Sequence, residues 1–263
     1  MVVARAALAA LMLLVSFSAA AVAQDAEELA KQTQNPVASL VSVPFQGNWD
    51  FGKGDREAAG TTMNIQPVAP FALAPGVNAI LRVIVPVLSQ PTDGEERLTG
   101  LGDTTMTLFF SPAKSGRLIW GAGPVFLIPT ATSNGLGTEH LGIGPSIVAL
   151  VQPKKWTIGA LWNQVWSVEG ANDRSDVNQM FLQPFVNYNL GDGLAVGAQA
   201  EASANWDADD EQWTSFLLFS ISKVTRLGAR PVSLLAGGGP AIASPTGGPD
   251  WRLRFVATFL FPR

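Results

Sequence analysis

The sequence predicts an all-β protein: a transmembrane antiparallel up-and-down β-barrel of about 12 strands, preceded by a signal peptide and a short N-terminal helix. Three observations predict it. From Trp251 to Pro262 the chain alternates, with Trp251, Leu253, Phe255, Ala257, Phe259 and Phe261 on one face and Arg252, Arg254 and Thr258 on the other. A soluble sandwich would bury such an apolar face and leave the arginines on a flat wet surface, whereas a barrel in lipid turns the oily face out and the charged face into its lumen. Secondly, the connections alternate between short basic or neutral turns and longer acidic loops. Thirdly, 47% of residues are hydrophobic and only 14% charged, yet beyond the N-terminus no run is long and apolar enough for a membrane helix.

The first 23 residues read as a secretory signal: Arg5 is the positive start, Ala6 to Phe17 the apolar run, and Ala21-Val22-Ala23 the small-x-small cleavage site. Export to the outer membrane of a Gram-negative cell is expected, with cleavage before Gln24. Removing Arg5 leaves 16 basic against 21 acidic residues, a net charge of −5, which disfavours nucleic acid as a partner. The chain has no cysteine, so no lipid anchor, disulfide framework or thiolate metal site is expected, and a single histidine, His140, makes an all-protein zinc site improbable. No metal or other cofactor is implied.

Residues 24–36 form a polar, charged segment with Ala26, Leu29 and Ala30 on a helical turn, broken by Asn35-Pro36. It is either a periplasmic tail or a plug folded back into the lumen, with Asn35 and Pro36 the plug candidates. The barrel is expected over 37–263. There the period becomes two. Val37, Val41, Val43, Phe45, Trp49 and Phe51 face away from Ser42, Gln46, Asn48 and Asp50; Met63, Ile65, Ala69 and Phe71 from Thr62, Asn64 and Gln66. Leu81, Val83, Val85 and Val87 face away from Asn78 and Arg82, although Ile80 and Ile84 blur that strand. Further strands follow at Met106, Trp120, Leu141, Trp156, Met180, Leu194, Trp213 and Val232, and the arginine-bearing strand closes the set.

Short turns are expected at Ala74-Pro75-Gly76, Lys114 to Arg117, Gln152 to Lys155, Gly191 to Gly193 and Lys223 to Arg230. Long loops fall at Gly52 to Gly60, Ser89 to Gly102, Thr130 to His140, Glu169 to Asp176, Asp207 to Glu211 and Ser244 to Asp250. Outer-membrane barrels put short turns in the periplasm and long loops outside, which places both termini in the periplasm. Trp49, Trp120, Trp156, Trp166, Trp206 and Trp213 lie near strand ends, where interfacial aromatics sit. Against this pattern stand Pro67, Pro86, Pro124, Pro145, Pro184 and Pro240, each of which removes a ladder donor inside a run.

Several segments carry a resemblance. They include 28–36, Val43-Pro44-Phe45-Gln46, Asn48-Trp49-Asp50-Phe51, Asn64-Ile65-Gln66-Pro67, Gly100-Leu101-Gly102-Asp103-Thr104, Phe110-Ser111-Pro112, Ile119-Trp120-Gly121, Gly123 to Phe126, and Asp176 to Gln179 through Gln183-Pro184-Phe185. In this order the chain resembles the outer-membrane transporter-like proteins of the phenol-degradation meta-pathway type, often mislabelled neuromedin U. The resemblance implies a barrel that passes hydrophobic or aromatic compounds, and it carries no established binding residue. The chain departs from the usual aromatic last residue, since Pro262-Arg263 follows Phe261.

Parity sends Arg82, Asp103, Glu201, Arg252 and Arg254 into the lumen, either as a constriction that sorts solutes or as structural ion pairs. Phe109, Phe181, Phe185 and Phe216 share that inward parity with Gln183, giving a mixed lining suited to an amphipathic or aromatic solute. Two other features carry less. The acidic loop Asp207, Asp209, Asp210, Glu211 lacks calcium-loop spacing. His140 with Ser133 would be the pair of a membrane hydrolase, but nothing in the spacing aligns them. The expected function is a passive outer-membrane channel or transporter for small hydrophobic or aromatic molecules, not an enzyme; the alternative is a plugged structural or adhesive barrel. Expected partners are outer-membrane lipid and lipopolysaccharide, the outer-membrane assembly machinery and a small-molecule solute.

Overall fold

The computed structural model describes residues 25–92, 94, 96–170 and 175–262; the expected signal peptide at 1–23 and the centre of the loop at 169–176 lie outside the described residues. The chain begins with a helix, α1, at 25–33. Fourteen strand segments follow: β1 (Val41–Lys53), β2 (Ala58–Ile65), β3 (Val68–Ala74), β4 (Val77–Pro91), β5 (Arg97–Leu101), β6 (Thr104–Pro112), β7 (Leu118–Ile128), β8 (His140–Val151), β9 (Trp156–Gly170), β10 (Asn178–Gly191), β11 (Leu194–Asn205), β12 (Trp213–Leu227), β13 (Arg230–Ala243) and β14 (Trp251–Phe261). They make a closed antiparallel barrel of 12 strands, because two pairs of segments are single strands interrupted once.

The registers show why. Phe45 faces Ile65 on β2 and Ser42 faces Val68 on β3, while on the other side Ile65 faces Val85 and Val68 faces Arg82. β2 and β3 therefore continue one strand, broken at Gln66-Pro67 where the ladder lacks a donor. β5 and β6 continue another, with a bulge at Gly102-Asp103 opposite Pro86. The remaining in-strand prolines act alike. Beside Pro124, Pro145, Pro184 and Pro240 the ladder skips pairs on one neighbour only and resumes in the same register. On the other neighbour these prolines stay paired, Pro124 with Pro145, Pro184 with Ala160 and Pro240 with Trp251. A tertiary amide removes one donor; it does not end a strand whose two neighbours hold it.

Closure is direct: β14 pairs β1 from Val41↔Phe261 to Phe51↔Trp251. On the outer face of that seam Phe45 meets Phe259 and Trp49 meets Phe255 edge to face, both at 5.9 Å. The outside is apolar. Trp120 and Trp156, the latter 4.7 Å from Tyr188, ring the short-turn end, and Trp49, Trp166, Trp206, Trp213 and Trp251 ring the long-loop end. The short turns use backbone chemistry suited to tight reversals: Asp192 and Gly193 both have positive φ (51° and 72°), as a type I′ hairpin demands. The turn expected over Lys223 to Arg230 is tighter than that, because β12 runs on to Leu227 and only 228–229 reverse the chain.

Candidate functional site in the barrel lumen

Inward parity divides the lumen into two unlike walls. On one side β14 sends in Arg252 and Arg254, directly opposite Asp50 and Asn48 of β1 across the closing seam. Arg252 donates from Nε and Nη2 to both Asp50 oxygens (2.6 and 2.7 Å) and from Nη1 to Glu201 Oε2 (2.9 Å). Arg254 donates from Nη1 and Nη2 to the two Glu201 oxygens (2.6 and 2.8 Å) and from Nε to Asn48 (2.7 Å). Glu201 belongs to β11, three strands away. The reach is possible because β13 places Gly237 and Gly239 beside the two arginines, leaving no side chain in between. Phe216 of β12 fills the floor, with the Arg252 guanidinium 3.8 Å above its ring centroid. Two planar cations and two carboxylates thus close on each other and strap β11, β14 and β1 together.

The opposite wall is apolar. Ile80, Phe109, Val148, Leu150 and Leu161, from β4, β6, β8 and β9, form a buried cluster with Phe181 and Phe185 packed against it. A second cluster, Val125, Val165 and Val177, extends it toward the loops. Into the first cluster comes Val37, 6% exposed. Its position differs from the sequence expectation, which counted Val37 with the lipid face of the first strand; β1 begins at Val41, and the residues before it cross the lumen. Gly121 on β7 makes the space, since a Cβ there would stand 2.8 Å from Val37 Cγ1.

The crossing segment is held at both ends. Gln34 donates to Asn189 Oδ1 (3.0 Å) and accepts from Thr157 Oγ1 (2.7 Å); Gln152 donates to the Lys31 carbonyl (2.9 Å). Asn35 turns the chain by accepting from the Val37 amide at 3.0 Å. Ala38 and Leu40 then pack on Leu260 of β14, with Leu29 of α1 against them. Residues 25–40 accordingly lie across the short-turn mouth.

Along the lumen, the described residues enclose a cavity of about 770 Å3 and a smaller one of about 250 Å3. The larger opens toward the loops and is lined on one side by the arginine cluster and on the other by Ile84, Leu127 and Phe181. The smaller is floored by the N-terminal segment, Asn35 and Pro36 included, with Phe185 in its wall. Both are lined by Gln46, Gln66, Arg82, Leu161 and Gln183, which mark the waist between them.

Of the residues singled out from sequence, Arg82, Phe181, Gln183, Phe185, Glu201, Arg252 and Arg254 line the lumen. Asp103 does not line either cavity. It sits at the bulge between β5 and β6, and its carboxylate accepts from the Ala131 amide (3.2 Å) and from the Thr138 amide and hydroxyl (2.6 and 2.8 Å), anchoring the 129–139 loop. His140 is buried with Nδ1 2.7 Å from the Thr138 carbonyl, a structural bond; Ser133 lies in a turn whose carbonyl accepts from Leu136. Among the described residues no group of three or more His, Asp or Glu is arranged to hold a metal. Sequence reasoning put Asp50 and Asn48 on the polar face without joining them to the arginines, although closure of an even-stranded barrel sets the first strand beside the last. Asn189 falls on the polar face of its strand by parity, but neither it nor Thr157 signals its partner, which is on a segment outside the sheet.

No family model and no curated protein matches the sequence. Among solved structures, the COG4313 outer membrane channel from Pseudomonas putida F1 is similar with a TM-score of 0.64 at 15% identity, covering 84% of this chain and 94% of that one. The NanC porin is similar at TM-score 0.53 and 11% identity, covering 84% and 100%. With a closed sheet, a lipid-facing apolar band and two aromatic girdles already in hand, these likenesses agree on the architecture. The chain is an outer-membrane β-barrel.

Proposed function

We propose that the protein is a passive outer-membrane channel for small molecules with a hydrophobic or aromatic body. The observation that carries the reading is the pair of cavities set end to end and meeting at Gln46, Gln66, Arg82, Leu161 and Gln183. Side chains fill the interior of a barrel of about 8 strands; this one, of 12, keeps open space along its axis. One apolar wall along the route favours solutes that sugar-selective polar pores exclude. The resemblance to the phenol-degradation meta-pathway type supports the same cargo class, and the likeness in fold to proteins described as an outer membrane channel and a porin supports passage through the lumen. No energy source is involved, since diffusion down a gradient needs none.

The floor of the smaller cavity, made by residues 25–40, is the part of the barrel that limits passage in this reading. It also favours the second reading, a plugged barrel without transport. Planar-bilayer conductance together with uptake of phenol and toluene analogues into liposomes separates the two. Discrete conductance steps with aromatic uptake are expected; an impermeable barrel that correctly shifts its gel mobility on boiling would overturn the channel.

A further inference from the structure

The structure assigns Arg82 as an anion-binding residue at the waist of the lumen, selecting small organic monocarboxylates whose apolar body lies on the facing wall. This deepens the channel reading and, for its role in transport, rests on it.

The charges inside the barrel point there. Asp50, Glu201, Arg252 and Arg254 neutralise one another, and every one of them is held by at least two charge-assisted hydrogen bonds. Both Glu201 oxygens accept from the two arginines, and Oε1 accepts further from Gln199 (2.7 Å) and Gln183 (3.3 Å). Nothing of that carboxylate is left for another cation. Arg82 comes from β4, on the other side of the lumen, and among the described residues its guanidinium makes one hydrogen bond, from Nη2 to Gln66 Oε1 at 2.9 Å. A neutral amide satisfies one donor of five, and Glu201 attracts the charge through space without bonding to it. Burial of a cation without a counter-charge is costly, and this one lines both cavities at their junction. A mobile anion in the lumen supplies what the wall does not.

The rest of the waist decides which anion. A guanidinium fork matches a carboxylate in two parallel bonds. Leu161 lines both cavities with Arg82, Ile84 is the next inward residue on β4, and Phe181 and Phe185 line the larger and smaller cavities respectively. A benzoate-like ion can therefore lay its ring on the apolar wall while its carboxylate meets Arg82. An inorganic anion would gain the charge contact and lose the rest. Asp210 and Glu211 stand at the outer rim of the same cavity and repel anions there, but at physiological salt the reach of such exposed charges is about 8 Å. The rim slows entry, and the waist determines what is retained.

The test uses the full barrel in detergent and in planar bilayers, with benzoate and its uncharged analogue benzyl alcohol as probes. Calorimetry is expected to show benzoate binding at least about tenfold tighter than benzyl alcohol. Arg82→Gln should lower benzoate affinity about tenfold and leave benzyl alcohol unchanged, the equivalent of one lost charge-assisted contact. Arg82→Lys, which keeps the charge and loses the fork, should restore only part of the loss. If Arg82→Gln does not fold, the wild-type preference and its weakening with added salt carry the test alone. Absence of benzoate binding, an equal affinity for the two probes, or an equal loss for both in Arg82→Gln would overturn the assignment. Benzoate binding in a barrel that shows no conductance would instead overturn the channel reading and leave the anion site standing.

Discussion

The two walls of the lumen answer the same problem, filling the interior of a narrow barrel, in opposite ways. The wall of β11, β14 and β1 is closed by charge: two carboxylates, two guanidiniums and Asn48 satisfy each other, with glycines at 237 and 239 clearing the path. The wall of β4, β6, β8 and β9 is apolar and is completed by a residue from outside the sheet, Val37. The first arrangement is internal to the barrel and cannot be undone without breaking strands' side-chain ties. The second can be undone by withdrawing one segment. The charged side is tied within the sheet, and the apolar side depends on a segment that is not part of it.

The largest effect expected from breaking this contrast is Glu201→Ala, which strands the buried Arg254 guanidinium and leaves Arg252 only its pair with Asp50. Removing one partner of a buried ion pair costs about 3–5 kcal/mol. Urea unfolding of the barrel in detergent, followed by tryptophan fluorescence, should show a midpoint lowered accordingly. The Glu201→Ala/Arg254→Ala pair should lose less than the sum of the single changes, because each partner's burden is the other's removal. Strict additivity would mean the cluster does not act as a unit.

Val37→Asp probes the other wall. A carboxylate cannot remain among Ile80, Phe109, Val148, Leu150 and Leu161 at the several kcal/mol such burial costs, so the segment should leave while the barrel stays folded. The heat-modified gel shift should persist and single-channel conductance should rise severalfold. Unchanged conductance would separate the segment from control of the pathway.

A smaller effect is expected from Gln34→Ala. It removes the contacts to Thr157 and Asn189, worth about 0.5–1.5 kcal/mol each, without touching the apolar anchor. The segment should open more often, and trypsin cleavage after Lys31 in detergent should quicken about tenfold, in line with the larger open population. Equal rates in the two proteins would show that the Gln34 contacts do not hold the segment.

How much of this was legible beforehand follows from what period-two patterning encodes. Along β14 and β1 it assigns each side chain to lipid or lumen, so Arg252, Arg254, Asp50 and Asn48 were all placed on the correct face, and β10 likewise gave Phe181, Gln183 and Phe185. Parity says nothing about reach. That Glu201 spans to the arginines depends on glycine at two intervening positions, and that Asp103 turns to the 129–139 loop depends on a one-residue bulge which resets parity. Ile80 and Ile84, which blur the alternation of β4, belong to the apolar wall: the inner face of that strand mixes two isoleucines with Arg82. The prolines were the main objection to the fold, and the ladders absorb each as a local gap. The lumen crossing by residues 34–40 has no period to follow, since its contacts are between a coil and side chains of several different strands.

The least of the expected effects concerns the rim, where the charged motif recurs in water. Glu211 accepts from the Thr246 amide and hydroxyl at 2.8 Å each, tying the 206–212 loop to the 244–250 loop. These bonds, the amide's first, hold its carboxyl below the usual range. A group depressed in this way stabilises the contact while it is ionised, so the tie is complete above the ordinary glutamate value of about 4.3 and is lost as pH falls through the lower value of the folded protein. Unlike the cluster at Glu201 it is exposed to solvent, and its loss should leave the barrel folded. Hydrogen exchange at the Thr246 amide, corrected for intrinsic rates, should quicken on acidification in the wild type and be fast at every pH in Glu211→Ala. The same pH dependence in both proteins would assign the protection to the loop backbone instead, and the charge at the rim would then have no part in shaping the mouth.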